Sequence, residues 1–267
     1  MEIPITVVVI TKNEESRIRD CLLSVSGWAK EIIVVDDESS DNTRKIAGEF
    51  SDKIFVRKMD IEGRHRNWAY AQSSFDWVLS LDADERLTPE LKDEITQRIK
   101  EQPSVSAFTI PRKNYLGDYW LQWGGQYPSP QLKLFKKDKF RWEEAEVHPR
   151  AFLEGECAHL KSAMLHYTYK DFSDFLKKLN NQTTLEAKKW IELFKENPKK
   201  ANYKMNLFHA LWRYHDRFLR AFIRKKGWRD GFRGFMAAYF SSLYQITAYA
   251  KYWEMKGELD KKQNHEQ

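Results

Sequence analysis

The first hundred or so positions carry short apolar blocks, and between them lie segments whose apolar residues recur at helical spacing. Ile5–Thr11 (ITVVVIT) is continuous and β-branched, the composition of a central strand buried on both faces. Asn13-Glu14-Glu15-Ser16 then opens a helix to Ser26, with Ile18, Cys21, Leu22 and Val25 along one side. Glu31–Val35, Lys53–Arg57 and Asp76–Leu81 read as the second, third and fourth strands, with helices over 39–50, 63–73 and 89–100. Strand–helix alternation with short connections predicts an α/β fold, a mostly parallel sheet with helices on both faces.

After Pro103 the pattern changes. Val105–Ile110, Tyr115–Gln122, Gln131–Lys136 and Lys139–Trp142 read as short strands, with loops at Gly124-Gly125 and Pro128-Ser129-Pro130. They predict a mixed extension of the sheet closing over its ligand edge. Helices follow over 171–196, 203–226 and 228–256, broken at Asn197-Pro198 and Gly227. The expected organisation is a catalytic domain over residues 1–170, a helical extension over 171–256, and a frayed polar tail over 257–267.

Open sheets of this kind bind ligands at the carboxyl ends of their strands. Polar residues collect there: Thr11-Lys12-Asn13-Glu14 after the first strand, Asp36-Asp37 after the second, Asp82-Ala83-Asp84 after the fourth. In DWVLSLDADE, Asp82 and Asp84 stand at i and i+2, on one side of the chain if the strand continues to its end. Neighbouring carboxylates repel, and a hard divalent cation, Mg²⁺ or Mn²⁺, relieves them. An acidic turn leading into the helix at Pro89 explains the same residues structurally. Three such clusters at one sheet edge favour the ligand site.

Composition narrows the setting. The chain is 42% hydrophobic and 14% aromatic, enough to bury a core. Two cysteines form no disulfide framework, and MEIPITVVVITKNE has neither a basic leader nor an apolar run long enough for a signal peptide. A cytoplasmic setting is expected. Between Ala201 and Lys256, eleven Lys or Arg face three acids, a local charge of +8 in a chain of net charge +6. The basic character therefore belongs to the helical end.

As a set, TVVVITKNEE, IIVVDDESSDNT and DWVLSLDADE resemble the family 2 glycosyltransferases of GT-A (Rossmann-like) fold. QLKLFKKDKFRW, EVHPR and LHYTYKDFSDFLKKLNNQT are similar to the lipopolysaccharide-core branch of that family. Lys133 stands where members commonly carry Arg, a point charge replacing a fork, and Pro149 stands where they carry the acceptor-side Glu. The resemblance implies that Thr11 and Glu14 border the base pocket and that Asp37 holds base or ribose. Arg64 and Asn67 would sit near the diphosphate, Asp82 on the ribose or a metal-bound water, and Asp84 on the metal. His148 or His166 would complete the metal shell or contact the diphosphate, although a lone histidine is commonly structural.

The implied reaction is inverting transfer from a nucleotide sugar, a UDP-sugar by family frequency, with the cation on the leaving diphosphate. The acceptor would be a lipid-linked glycan such as lipopolysaccharide core. Its hydroxyl needs a carboxylate base, and EEAEVH offers Glu144 first and Glu146 second, with Glu143 on the other face. The basic, aromatic helices suit an anionic membrane surface, on the inner face of the cytoplasmic membrane. A homo-oligomer contact is the alternative, and no nucleic-acid motif accompanies them. Two other functions fit the same residues: a polyprenyl-phosphate glycosyltransferase, and a non-catalytic membrane-associated protein retaining the fold.

Overall fold

The computed structural model describes residues 2–101, 104–145, 150–195 and 205–265. The first strand and its neighbours follow the expected alternation: β1 (Ile3–Thr11), α1 (Ile18–Leu23), β2 (Ala29–Asp36), α2 (Thr43–Ala47), β3 (Lys53–Val56), α3 (Glu62–Ala71) and β4 (Trp77–Asp82). Next come β5 (Glu85–Arg86), α4 (Pro89–Glu101), β6 (Ala107–Ile110), β7 (Arg112–Leu116), β8 (Tyr119–Trp120) and β9 (Gln131–Lys136). The strands finish with β10 (Phe140–Trp142), β11 (Ala151–Leu153), β12 (Cys157–His159) and β13 (Met164–Tyr169). The remainder is helical: α5 (Phe172–Lys195), α6 (Leu207–Leu219), a π-helical turn over Arg220–Arg224, a 3₁₀ turn over Gly227–Asp230, and α7 (Gly231–His265).

The main sheet has strand order β12-β6-β9-β4-β1-β2-β3. β1 lies parallel between β2 and β4, and β9 is the strand that runs antiparallel to its neighbours β4 and β6. Side chains of β1 alternate between two cores. Ile5, Val7 and Val9 pack with Ile18 and Leu22 of α1 and Leu91 and Ile95 of α4. Val8 packs on the other side with Ala69 and Tyr70 of α3 and with Phe135 and Phe140. Each such buried side chain contributes about 1.5–3 kcal/mol, so a one-residue slip of β1 would exchange both faces at once.

Several expected elements are altered. α1 and α2 are shorter than their patterns because the residues before them form turns. Asn13 and Glu38 take left-handed backbone (φ 53° and 51°), and Asn13 N–H donates to Ser39 Oγ at 2.8 Å. The stretch expected as one strand over 115–122 is a hairpin instead, turning at Gly117 (φ 57°) so that Tyr115 faces Trp120. β5, β11, β12 and β13 have no counterpart in the pattern. The polar segment after Gly257 is not frayed through its described residues; α7 continues to His265, since its Glu, Leu, Lys and Gln outweigh one glycine.

The chain forms two compact units, residues 1–114 with 128–168, and residues 115–127 with 169–267. The hairpin loop over 115–127, which the pattern grouped with the catalytic domain, belongs to the helical unit through buried Asp230. That carboxylate accepts from Trp123 N–H (2.8 Å), Gln122 N–H (3.4 Å) and the Tyr119 hydroxyl (3.2 Å). Within this unit Ala187, Trp190 and Phe194 of α5 pack with Ala210 of α6 and with Ala248, Tyr249 and Tyr252 of α7. Among the described residues no helix is long and apolar enough to cross a membrane.

Candidate active site

Parallel register brings three strand ends to one edge of the first unit: Thr11 pairs with Asp36, and Ile10 with Asp82. A cleft of about 370 Å³ opens there, a size suited to a small ligand. Thr11, Lys12 and Glu14 line it from the end of β1, Asp37 from the end of β2, Asp82, Ala83 and Asp84 from the end of β4. Glu62, His65 and Arg66 line it from α3.

On the β2 side, Lys12 Nζ donates to Asp37 Oδ2 and Met59 N–H to Oδ1, each at 2.8 Å. Burial alone would raise the Asp37 pKa, but these two donors hold it below the ordinary carboxylate value. His65 is fully buried, and its Nδ1 lies 2.8 Å from Arg57 Nη1. A guanidinium only donates, so Nδ1 accepts and the ring proton sits on Nε2. Burial and Arg57 both push the His65 pKa down, keeping the ring neutral. Among the described residues its Nε2 has no hydrogen-bond partner, and neither does the buried Thr11 Oγ1.

On the β4 side the chain turns at Ala83-Asp84, so strand geometry ends at Asp82, and the two carboxylates take different partners. Asp82 meets Lys133 Nζ at 2.7 Å and Arg66 Nη2 at 3.3 Å. Burial opposes ionisation, yet these cations hold the Asp82 carboxyl well below its usual range. Lys133 also lies 2.7 Å from Glu85, which is fully buried and accepts from Asp82 N–H at 3.0 Å. The same carboxylates keep the buried Lys133 ammonium protonated, raising its pKa despite desolvation.

Asp84 is placed differently. β13 pairs antiparallel with β5, setting His166 opposite Glu85, and Tyr167 N–H donates to the Asp84 carbonyl at 2.9 Å. His166 Nε2 then stands 3.6 Å from Asp84 Oδ1, while Arg17 Nη1 is 3.7 Å from Oδ2. His166 Nδ1 is 2.7 Å from Asn114 Oδ1. With that oxygen accepting from Nδ1–H, Nε2 presents its lone pair beside Asp84, the tautomer a metal ligand requires. Among the described residues no group of three or more His, Cys, Asp or Glu is gathered for a metal. An Asp–His pair still fits Mg²⁺ or Mn²⁺, which keep water and phosphate oxygens as their remaining ligands.

The other expected residues have distinct surroundings. Arg64 is exposed and pairs with Asp60 (3.0 Å) and Glu144 (3.1 Å), and does not line the cleft. Asn67 clamps β10: its Nδ2 donates to Trp142 O at 2.9 Å and its Oδ1 accepts from Trp142 N–H at 2.8 Å. Glu143 is gripped by Arg150, which holds its pKa at about 2. Glu146 and His148 lie outside the described residues. The family resemblance points to Arg64 and Asn67 on α3, whereas Glu62, His65 and Arg66 line the cleft. Their i, i+3, i+4 spacing was the available signal.

This sheet, with its cleft at the carboxyl ends of β1, β2 and β4, is a GT-A architecture, and the chain belongs to glycosyl transferase family 2, whose model matches residues 6–153, more than half its length. It is a glycosyltransferase. It is similar to the lipopolysaccharide core biosynthesis glycosyltransferase LpsC of Rhizobium meliloti, 25% identical over 260 residues that cover 95% of this chain and 93% of that one. An uncharacterised glycosyltransferase of Rickettsia typhi is 27% identical over 263 residues, covering 94% and 87%. Among solved structures, Staphylococcus aureus TarS 1–349 aligns over 92% of this chain and 90% of that one, with 17% identity and a TM-score of 0.47.

Proposed function

We propose that this chain transfers a sugar from a UDP-sugar to a lipid-linked glycan acceptor such as lipopolysaccharide core, inverting the sugar carbon and using Mg²⁺ or Mn²⁺. The observation that carries this reading is the Asp84–His166 pair, set in the same cleft as Asp37, His65 and Arg66. A bound divalent cation supplies charge for the departing diphosphate. Asp37, Thr11 and Glu14 border the base and ribose; Arg66 adds positive charge beside the diphosphate, and the spare N–H of His65 offers a hydrogen bond. The acceptor oxygen forms its bond to the sugar carbon as the bond to the diphosphate breaks. Glu144, steadied by Arg64, takes the acceptor proton. The work takes place on the inner face of the cytoplasmic membrane, where a soluble donor meets a lipid-linked acceptor.

The test is a thermal-shift panel of UDP-, GDP- and ADP-sugars with and without Mn²⁺, followed by transfer assays on Asp84→Ala. A donor at a hundredfold its Kd stabilises the folded chain by about 2.7 kcal/mol, and the UDP-sugar with Mn²⁺ is expected to give the shift. Asp84→Ala should stay folded and lose transfer. Near-normal turnover in that variant would remove the metal from the mechanism.

A further inference from the structure

The helical unit carries a surface that the transfer chemistry does not use. Leu207, Leu211, Leu219 and Ile223 lie multiples of four apart along α6 and the π-helical turn, with Phe208 and Trp212 beside them. Such spacing defines one helix face. All six are exposed, Phe208 at 83%. The packing face of the same helix lies opposite, where Ala210 is buried and Arg217 donates to Ser241 at 2.7 Å. The apolar row is therefore surplus to the internal core.

The surface continues onto the next segment. Phe235 of α7 meets Phe218 at 5.8 Å and Phe222 at 5.7 Å, edge to face, which holds the start of α7 beside α6. Trp228 and Phe232, the latter 69% exposed, extend the apolar area. From Leu207 to Tyr239 there are eight Lys or Arg and two acids. Asp216 is paired with Arg220, and Asp230 is buried under the 115–127 hairpin. Arg224, Lys225, Lys226, Arg229 and Arg233 are exposed.

We propose that this face docks on an anionic lipid bilayer, the aromatic and aliphatic row entering the headgroup region and the cations meeting lipid phosphates. Charge complementarity selects this occupant. A two-fold contact between copies would set the same basic patch against itself, whereas an anionic leaflet attracts both components of the surface. With no described helix able to span, the contact is interfacial. It stands independently of the transfer reading, because binding to vesicles needs neither donor nor metal.

The experiment is co-sedimentation of the full chain with vesicles of mixed phosphatidylcholine and phosphatidylglycerol, or of phosphatidylcholine alone, at low and physiological salt. The wild-type chain should pellet with the anionic vesicles and weaken with salt. Arg224→Glu with Lys226→Glu should lower the affinity at least on the order of tenfold, and Phe208→Ser with Trp212→Ser should also release the chain. Unchanged thermal melts show that these exposed substitutions leave the fold intact; if a double variant fails to fold, Arg224→Glu and Phe208→Ser alone replace it. Wild-type chain left in the supernatant with anionic vesicles, or variants that pellet like wild type, would overturn the proposal. So would sedimentation equilibrium showing a lipid-free dimer that the same substitutions dissolve.

Discussion

Lys133 offers the sharpest test of how the cleft edge is held together. It is 7% exposed, and its ammonium lies 2.7 Å from both Asp82 and Glu85. Lys133→Met keeps the length of the side chain and removes the charge, leaving Asp82 with Arg66 at 3.3 Å and fully buried Glu85 with Arg112 at 3.6 Å. Removing one partner of a buried pair costs about 3–5 kcal/mol. Because the Asp82 side chain is 36% exposed, the expected loss lies near the lower end, about 3 kcal/mol at neutral pH. Urea denaturation followed by circular dichroism measures it.

The pH dependence has a definite sign. In the wild-type chain the Asp82 pKa is depressed below 3.8, so its contribution is present above that pH and disappears as pH falls through the folded value. Without Lys133 the carboxyl pKa rises in the folded state, and protonation then relieves part of the damage. The penalty of Lys133→Met should therefore shrink between neutral and mildly acid pH. Lys133→Arg retains the charge and should cost less than Lys133→Met. A Met variant within about 1 kcal/mol of wild type at neutral pH, or a penalty unchanged on acidification, would refute the account of a buried cation bridging two carboxylates.

Three further outcomes are expected. Glu144→Gln should reduce kcat by about 10²-fold or more at saturating donor, with donor binding intact; an unchanged kcat would exclude Glu144 as base. Gly63→Ala would place its Cβ 1.9 Å from the Glu143 carbonyl oxygen, so scanning calorimetry should show a loss of about 1–3 kcal/mol. Glu31 is buried, and although burial opposes ionisation, bonds from Lys53, Ser74 and Thr6 hold its pKa at about 2, against an ordinary 4.5. Its stabilisation, roughly 3 kcal/mol, should be intact above pH 4.5 and lost as pH falls toward 2; acid titration of Glu31→Gln should lack that component.

The central sheet was legible because its signals are local. Ile5–Thr11 is β-branched at every residue and buried or nearly so throughout, the composition of a strand covered on both faces. The polar residues that end β1, β2 and β4 were legible for the same reason, so the edge that holds the cleft could be named. Short strands were not legible. β5 has two residues and β12 three, and their partners lie far along the chain: Glu85 finds His166, and Cys157 finds Ala107. A strand that short has no pattern of its own, and only its pairing defines it.

Chain order alone therefore determined the fold class, the succession of the first four strands along the chain, and the place where polar chemistry collects. Which side chains act there was a tertiary decision. Asp82 and Asp84 are near-identical as text, yet Lys133, 51 residues away, takes Asp82 into an ion cluster, while β13 delivers His166 to Asp84. On α3 the helix was readable but its orientation was not. Asn67 faces Trp142, 75 residues on, and that clamp turns His65 and Arg66 toward the cleft. Periodicity says which residues share a face; only packing against distant segments says where the face points.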